Sequence, residues 1–205
     1  MISVVDYGVA NLGSMLNMLR KLGLEAERVG TPEALATSTR IVLPGIGAFD
    51  HGMTALAERG LIEPLRKRVV EDKVPILGVC LGMQMLGAGS EEGDLAGLGL
   101  VDATCQRFRT GDHAGLKVPH MGWARISPCR ESPLLADLGE TSRFYFVHSY
   151  HLACSDPGDI LARAQHGIDF VSVIERGNIF GVQFHPEKSH RFGMTLLRNF
   201  ASLAC

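Results

Sequence analysis

Apolar residues follow two different patterns along this chain of 205 residues. In the first half, short unbroken apolar runs alternate with segments of helical spacing. Ile2 to Tyr7 reads as a strand. Asn11 to Leu22 places Met15, Leu16, Met18, Leu19 and Leu22 at helical intervals, and Gly23 follows as a cap. Arg40 to Gly45 reads as a second strand, ended by Pro44 and Gly45. Met53 to Glu58 and Leu61 to Glu71 read as helical, Pro75 to Val79 as a third strand, and Leu81 to Leu86 as helical again. Runs of four to five apolar residues without alternation predict strands buried on both faces, the habit of a mostly parallel sheet flanked by helices.

From Leu98 onward the runs are longer and alternate: Leu98 to Phe108, Arg143 to Cys154, and Phe170 to His185, the last folded back at Arg176-Gly177-Asn178. They predict an added antiparallel region. Ser189 to Leu203 sets Phe192, Leu196, Phe200 and Leu203 on one helical face that closes the sheet. The expected fold is α/β, an open, mostly parallel central sheet flanked by helices with antiparallel strands in the second half.

Composition narrows this picture. With 46% apolar residues the expectation is a single domain over 1–205 with its own core. Twenty Lys plus Arg against 22 Asp plus Glu give a net charge of −2, which argues against a nucleic-acid footprint. The densest basic run, Arg66 to Arg68, is followed by Glu71 and Asp72 and reads as a solvated helix face. No apolar window suits a membrane and the N-terminus lacks a signal-peptide pattern, so a cytoplasmic location is expected. Cys80, Cys105, Cys129, Cys154 and Cys205 are odd in number and form no CxxC pair, which speaks against disulfides and zinc.

The sharpest chemical signal is Gly78-Val79-Cys80-Leu81-Gly82, where a strand gives way to a helix. Flanking glycines permit the strained elbow that lifts a nucleophile above a sheet edge, and a thiolate there gains from the helix dipole. A thiol needs a base and an orienter. His185 and Glu187, on an extended chain, would project to the same side. Oxyanion donors are available at the Leu81 N–H and in the loop Pro44 to Gly47. His148 and His151, three apart in a strand, would face opposite ways and so make a poor metal pair; His113 and His120 read as surface residues. No Gly-rich stretch fits a phosphate or dinucleotide site, so no cofactor and no metal is expected.

The segments PGIGAF (Pro44 to Phe49), GVCLGMQML (Gly78 to Leu86), PHMGW (Pro119 to Trp123), FVHSY (Phe146 to Tyr150) and FHPEKS (Phe184 to Ser189), in that order, resemble the class I glutamine amidotransferases, over nearly the whole chain. Within the family they are most similar to glutaminase subunits of histidine biosynthesis. The resemblance implies the class I fold, with Cys80 attacking the glutamine amide, His185 moving protons and Glu187 orienting His185. It also implies that Gly45, Ile46, Gly47, Gln84, Ser149 and Tyr150 hold glutamine and that Leu81 N–H faces the oxyanion. A loop centred on Ile46 would have to rearrange before the glutaminase becomes active. The implied partner is a cyclase subunit, a (β/α)8 barrel that uses the ammonia to make imidazole glycerol phosphate and aminoimidazole carboxamide ribonucleotide. Asn11, Met121, Trp123, Tyr145 and Lys188 match family positions at that interface. Departures occur at Ala10, Asp102-Ala103 and Ala124, none of them in the triad. A glutaminase of pyridoxal phosphate synthesis would carry PGGES in place of PGIGAF, a peptidase-like thiol hydrolase would lack HPE, and a regulatory module would have a broken triad.

Overall fold

The computed structural model describes residues 1–109 and 116–203; His113 and Cys205 lie outside them. In chain order the strands are β1 (Ile2–Val5), β2 (Ala26–Val29), β3 (Ile41–Gly45), β4 (Ile76–Cys80), β5 (Gly89–Ser90), β6 (Ala103–Arg107), β7 (His120–Arg125), β8 (Ser127–Pro128), β9 (Arg143–His148), β10 (Tyr150–Cys154), β11 (Ile160–His166), β12 (Ile168–Arg176) and β13 (Ile179–Val182). The helices are α1 (Leu12–Lys21), α2 (Pro32–Leu35), α3 (Phe49–Glu58), α4 (Ile62–Arg66), α5 (Leu81–Met85) and α6 (His190–Ser202).

The main sheet runs β2-β1-β3-β4-β13-β12-β10-β6-β5, with β11 and β8 branching from β12. Its first five strands are parallel, and β12, β10 and β6 continue it antiparallel. A separate two-stranded antiparallel ladder joins β7 to β9. Every residue of β1, β3, β4 and β13 is buried, as unbroken apolar runs require when helices cover both faces. Leu56, Leu65 and Met85 pack on one face, and Phe144, Phe184, Leu196 and Phe200 on the other.

Several local expectations need correction. The strand β2 escaped sequence reading because Glu27 and Arg28 interrupt its apolar character, and only Val29 is fully buried. The helix expected over Leu61 to Glu71 is α4 followed by a wider turn of five residues, Lys67–Glu71. The run Arg143 to Cys154 is two strands: the chain leaves the β7–β9 ladder after His148 and joins β6 and β12 from Tyr150.

Parallel strands deliver their C-terminal ends to one edge, where open α/β sheets gather their chemistry. Here β3, β4 and β13 are neighbours in register, Gly45 beside Cys80 and Val182 beside Val79. The residues that follow β13 therefore emerge next to Cys80.

Candidate active site

Cys80 ends β4 with φ 55° and ψ −112°, and α5 begins at the next residue. Such a backbone costs a non-glycine residue about 1–3 kcal/mol and persists only where its surroundings impose it. The glycines show how. A Cβ on Gly82 would stand 1.8 Å from the Leu43 carbonyl oxygen, and one on Gly78 would stand 2.7 Å from the Gly82 carbonyl oxygen. Helix and sheet meet backbone to backbone, and only glycine fits. A Cβ on Gly45 would likewise meet the Tyr7 hydroxyl at 2.6 Å and Gly82 N at 2.9 Å. Tyr7 donates to the Pro44 carbonyl at 2.7 Å. Burial, and then the negative charge of Cys80, raise the Tyr7 pKa, so the phenol keeps its proton.

His185 Nδ1 lies 2.8 Å from Glu187 Oε1, both side chains almost fully buried. The pair meets for a different reason from the expected extended chain: Pro186–Lys188 form a short 3-10 turn that folds Glu187 back under the ring. The turn is pinned. His185 N–H donates to the Tyr145 carbonyl at 2.9 Å, and the Ser189 hydroxyl donates to the His185 carbonyl at 2.6 Å while accepting from Tyr145 N–H. Gly193 lets α6 approach so closely that a Cβ there would overlap the Pro186 carbonyl at 1.8 Å. Burial by itself lowers the His185 pKa, but the nearby Cys80 and Glu187 outweigh it and push it up to about 9. Its Nε2 makes no hydrogen bond of ordinary geometry, so this nitrogen is uncommitted.

Cys80 and His185 open into a cavity of about 350 Å³ whose wall also holds Ile46, Gly47, Leu81, Gln84, Ser149 and Tyr150. Of the residues expected to hold substrate, only Gly45 stands outside this lining, in the packing beneath it. Glu92 and Lys188 line the cavity too. Glu92 went unnoticed in the sequence; its carboxylate accepts from Phe49 N–H at 2.9 Å, the first residue of α3, where a negative charge suits the helix dipole. The Ile46 N–H donates to the Val9 carbonyl at 3.2 Å and is thus already committed. Wider grooves, one along Pro128 to Ala136 and one between Trp123 and Arg191, include neither Cys80 nor His185.

Of the residues expected at an interface, Met121, Trp123, Tyr145 and Lys188 lie close together. Met121 and Trp123 project from β7 with 62% and 43% of their surface exposed, and Trp123 pairs across the ladder with Tyr145. The Lys188 ammonium stands 5.9 Å from the Tyr145 ring centre, within cation–π reach. Asn11 is exposed and caps α1, its side chain accepting from Ser14 N–H.

Two histidine expectations fail. His120 is buried, not on the surface. His148 and His151 do not face opposite ways, because the break at Ser149 resets the alternation: both rings pack on Phe108, with centroids at 5.3 and 4.8 Å. Even so, among the described residues no cluster of three or more His, Cys, Asp or Glu is arranged to hold a metal ion. Nor is any described helix long and apolar enough to cross a membrane.

A cysteine on a strained strand-to-helix turn beside a buried His–Glu pair defines the class of α/β proteins built for thiol-based acyl transfer. Residues 3–203 match the class-I glutamine amidotransferase family, and the chain belongs to it. It is 49% identical to the imidazole glycerol phosphate synthase subunit HisH 2 of Pseudomonas aeruginosa, over 99% of this chain and 100% of that one. It is 47% identical to the HisH 2 subunit of Methanococcus maripaludis, over 100% of both. Among solved structures, PurLQS from Thermotoga maritima superimposes with a TM-score of 0.74 at 19% identity, covering 98% of this chain and 96% of that one. A crystal structure of a glutamine amidotransferase gives 0.73 at 22% identity, covering 98% and 97%. These structural likenesses speak for the fold.

Proposed function

We propose that this chain is the glutaminase subunit of imidazole glycerol phosphate synthase, a single domain acting in the cytoplasm with a Cys80–His185–Glu187 triad. The observation that carries the reading is the buried His185–Glu187 pair opening into one cavity with the strained Cys80; the near-full-length relatives named for this synthase support the choice of reaction.

In this reading His185 holds the Cys80 proton and the sulfur attacks the side-chain amide carbon of glutamine. The resulting oxyanion takes a hydrogen bond from Leu81 N–H. His185 returns the proton to the departing nitrogen, ammonia leaves, and Cys80 carries a glutamyl thioester. Water, deprotonated by His185, then releases glutamate and restores the thiol. Glu187 keeps the His185 ring oriented and supports its positive charge. The carboxylate of Glu92, at the cavity wall, suits the substrate's α-ammonium, and Gln84, Ser149 and Tyr150 shape the remaining wall.

A second oxyanion donor is the natural role of Ile46 N–H. Its bond to the Val9 carbonyl turns it away, which supports a resting state of low activity that a docked partner relieves. Met121, Trp123, Tyr145 and Lys188, with Asn11, form the docking surface for a cyclase subunit of (β/α)8 fold that consumes the ammonia. An exposed aromatic with a cation beside it is the chemistry of an interface anchor.

The test measures glutamate release by the purified chain alone, with the cyclase subunit, and with the cyclase and its nucleotide ligand. Activity is expected in the last mixture. Cys80→Ala is expected to remove it, by ~10³-fold or more, while ammonia-dependent synthesis by the cyclase continues. Loss of both activities overturns the division of labour, and full activity of the chain alone overturns the gated donor.

A further inference from the structure

Gln183 takes no part in the steps above, yet it is 0% exposed and stands at the end of β13 beside the nucleophile. The register that pairs Val182 with Val79 brings the next residue to Cys80, and Gln183 Nε2 lies 3.8 Å from the Cys80 sulfur. Which end of an amide faces a neighbour has to be read from its partners. Gln84 supplies the answer. Its amide group lies 3.1 Å from the Tyr150 carbonyl, and a carbonyl only accepts, so this end of Gln84 is the NH2. The same NH2 stands 3.1 Å from the far end of the Gln183 amide, which must then be oxygen. Gln183 is left with its N–H facing sulfur.

The histidine pair fixes the other end of the chain. His148 Nδ1 lies 2.7 Å from the same Tyr150 carbonyl, so Nδ1 carries the ring proton. Burial holds His148 neutral, and its Nε2 therefore accepts, from His120 Nδ1–H at 3.2 Å. Two rings, a carbonyl and two amides thus form one buried chain whose donor directions are all determined, from the first residue of β7 to the sulfur.

We propose that Gln183 is a positioning residue for the Cys80 thiolate: its N–H fixes the direction of the sulfur, and the chain through Gln84, Tyr150, His148 and His120 keeps the amide from turning over. The inference rests on Cys80 being the nucleophile of the proposed glutaminase. A thiol is a weak acceptor and a thiolate a stronger one, so this contact favours the ionised form. If Gln183 merely filled the core, its loss would change stability and leave the thiolate unchanged.

The experiment follows alkylation of Cys80 by iodoacetamide in the full chain against pH, read as the mass of the Cys80 peptide. Two variants are compared with the parent. Gln183→Leu removes the donor, and Gln183→Met removes it with a side chain of similar length that places no charge beside the sulfur. His185, Glu187, Tyr7, Tyr150, Glu92, Lys188 and His148, the titratable groups around the site, are unchanged in both. The expected result is a profile moved to higher pH, with a rate at neutral pH about tenfold lower, the equivalent of one pKa unit. In the cyclase complex kcat for glutamine should fall with KM unchanged. Profiles that superimpose on the parent's in both variants overturn the proposal. If glutamate release instead survives Cys80→Ala, the nucleophile assignment falls, while the alkylation profile still reports the Gln183 contact on its own.

Discussion

His185 and the pair His120 and His148 are buried alike but hold their protons oppositely. Burial lowers the pKa of all three. At His185 the charges of Cys80 and Glu187 overturn that effect and bring the value to about 9. At His148 burial dominates, the Tyr150 carbonyl only partly opposes it, and the neighbouring histidines add to it, giving about 3; His120, buried and beside His166, comes to about 4. The fold thus builds a cationic imidazole and a neutral one, His148, into the wall of one cavity, with His120 hydrogen-bonded behind His148, and the difference is the two anions beside His185, Cys80 and Glu187.

The most drastic way to weaken the contrast is Glu187→Gln, which leaves His185 buried without its carboxylate partner. We expect kcat for glutamine hydrolysis in the ligand-loaded complex to fall by about 10³-fold, measured as glutamate release, and the His185 ring to titrate at lower pH by NMR.

The contrast should also appear in stability, followed by urea unfolding across pH. His185 is raised above its ordinary 6.5, so its contribution is fully present below about 6.5 and is lost as pH rises through about 9. The pair is lowered, so its contribution is present above about 6.5 and is lost as pH falls toward 4 and then 3. Stability should therefore decline on both sides of a near-neutral maximum, and Glu187→Gln should flatten the alkaline side only. A decline on the acid side that Glu187→Gln alone abolishes would contradict this assignment.

The smallest expected effect is that of His148→Leu. It lowers stability at neutral pH by removing hydrogen bonds, but it should make the acid side shallower by about 2 kcal/mol at pH about 5, the cost of keeping one buried imidazole neutral 1.5 units below its ordinary value. An acid slope identical to the parent's would mean that His148 is already protonated in the fold.

The elbow could be read from the sequence because its constraint is steric and local: where backbone meets backbone at Gly82 and Gly78, the chain must spell glycine on either side of Cys80. The parallel strands were legible because burial on both faces leaves unbroken apolar runs. Other features depend on distant partners. Nothing around Ser149 announces that β9 and β10 belong to different sheets, and the positions of His148 and His151 follow from that break. His120 looks like a loop residue until Phe146 and His166 stack on it. Glu92 reaches the cavity only through its bond to Phe49, and Gln183 becomes meaningful only once β13 lies beside β4.

Trp123 is the sole tryptophan in the sequence, and it sits half-exposed with its indole parallel to the His190 ring at 5.5 Å. The protein therefore carries an intrinsic fluorophore on the surface proposed above for docking. Its emission colour reports how much water the indole sees, so assembly can be followed by eye of the spectrometer alone, with no dye, tag or second reporter to disturb the surface being observed.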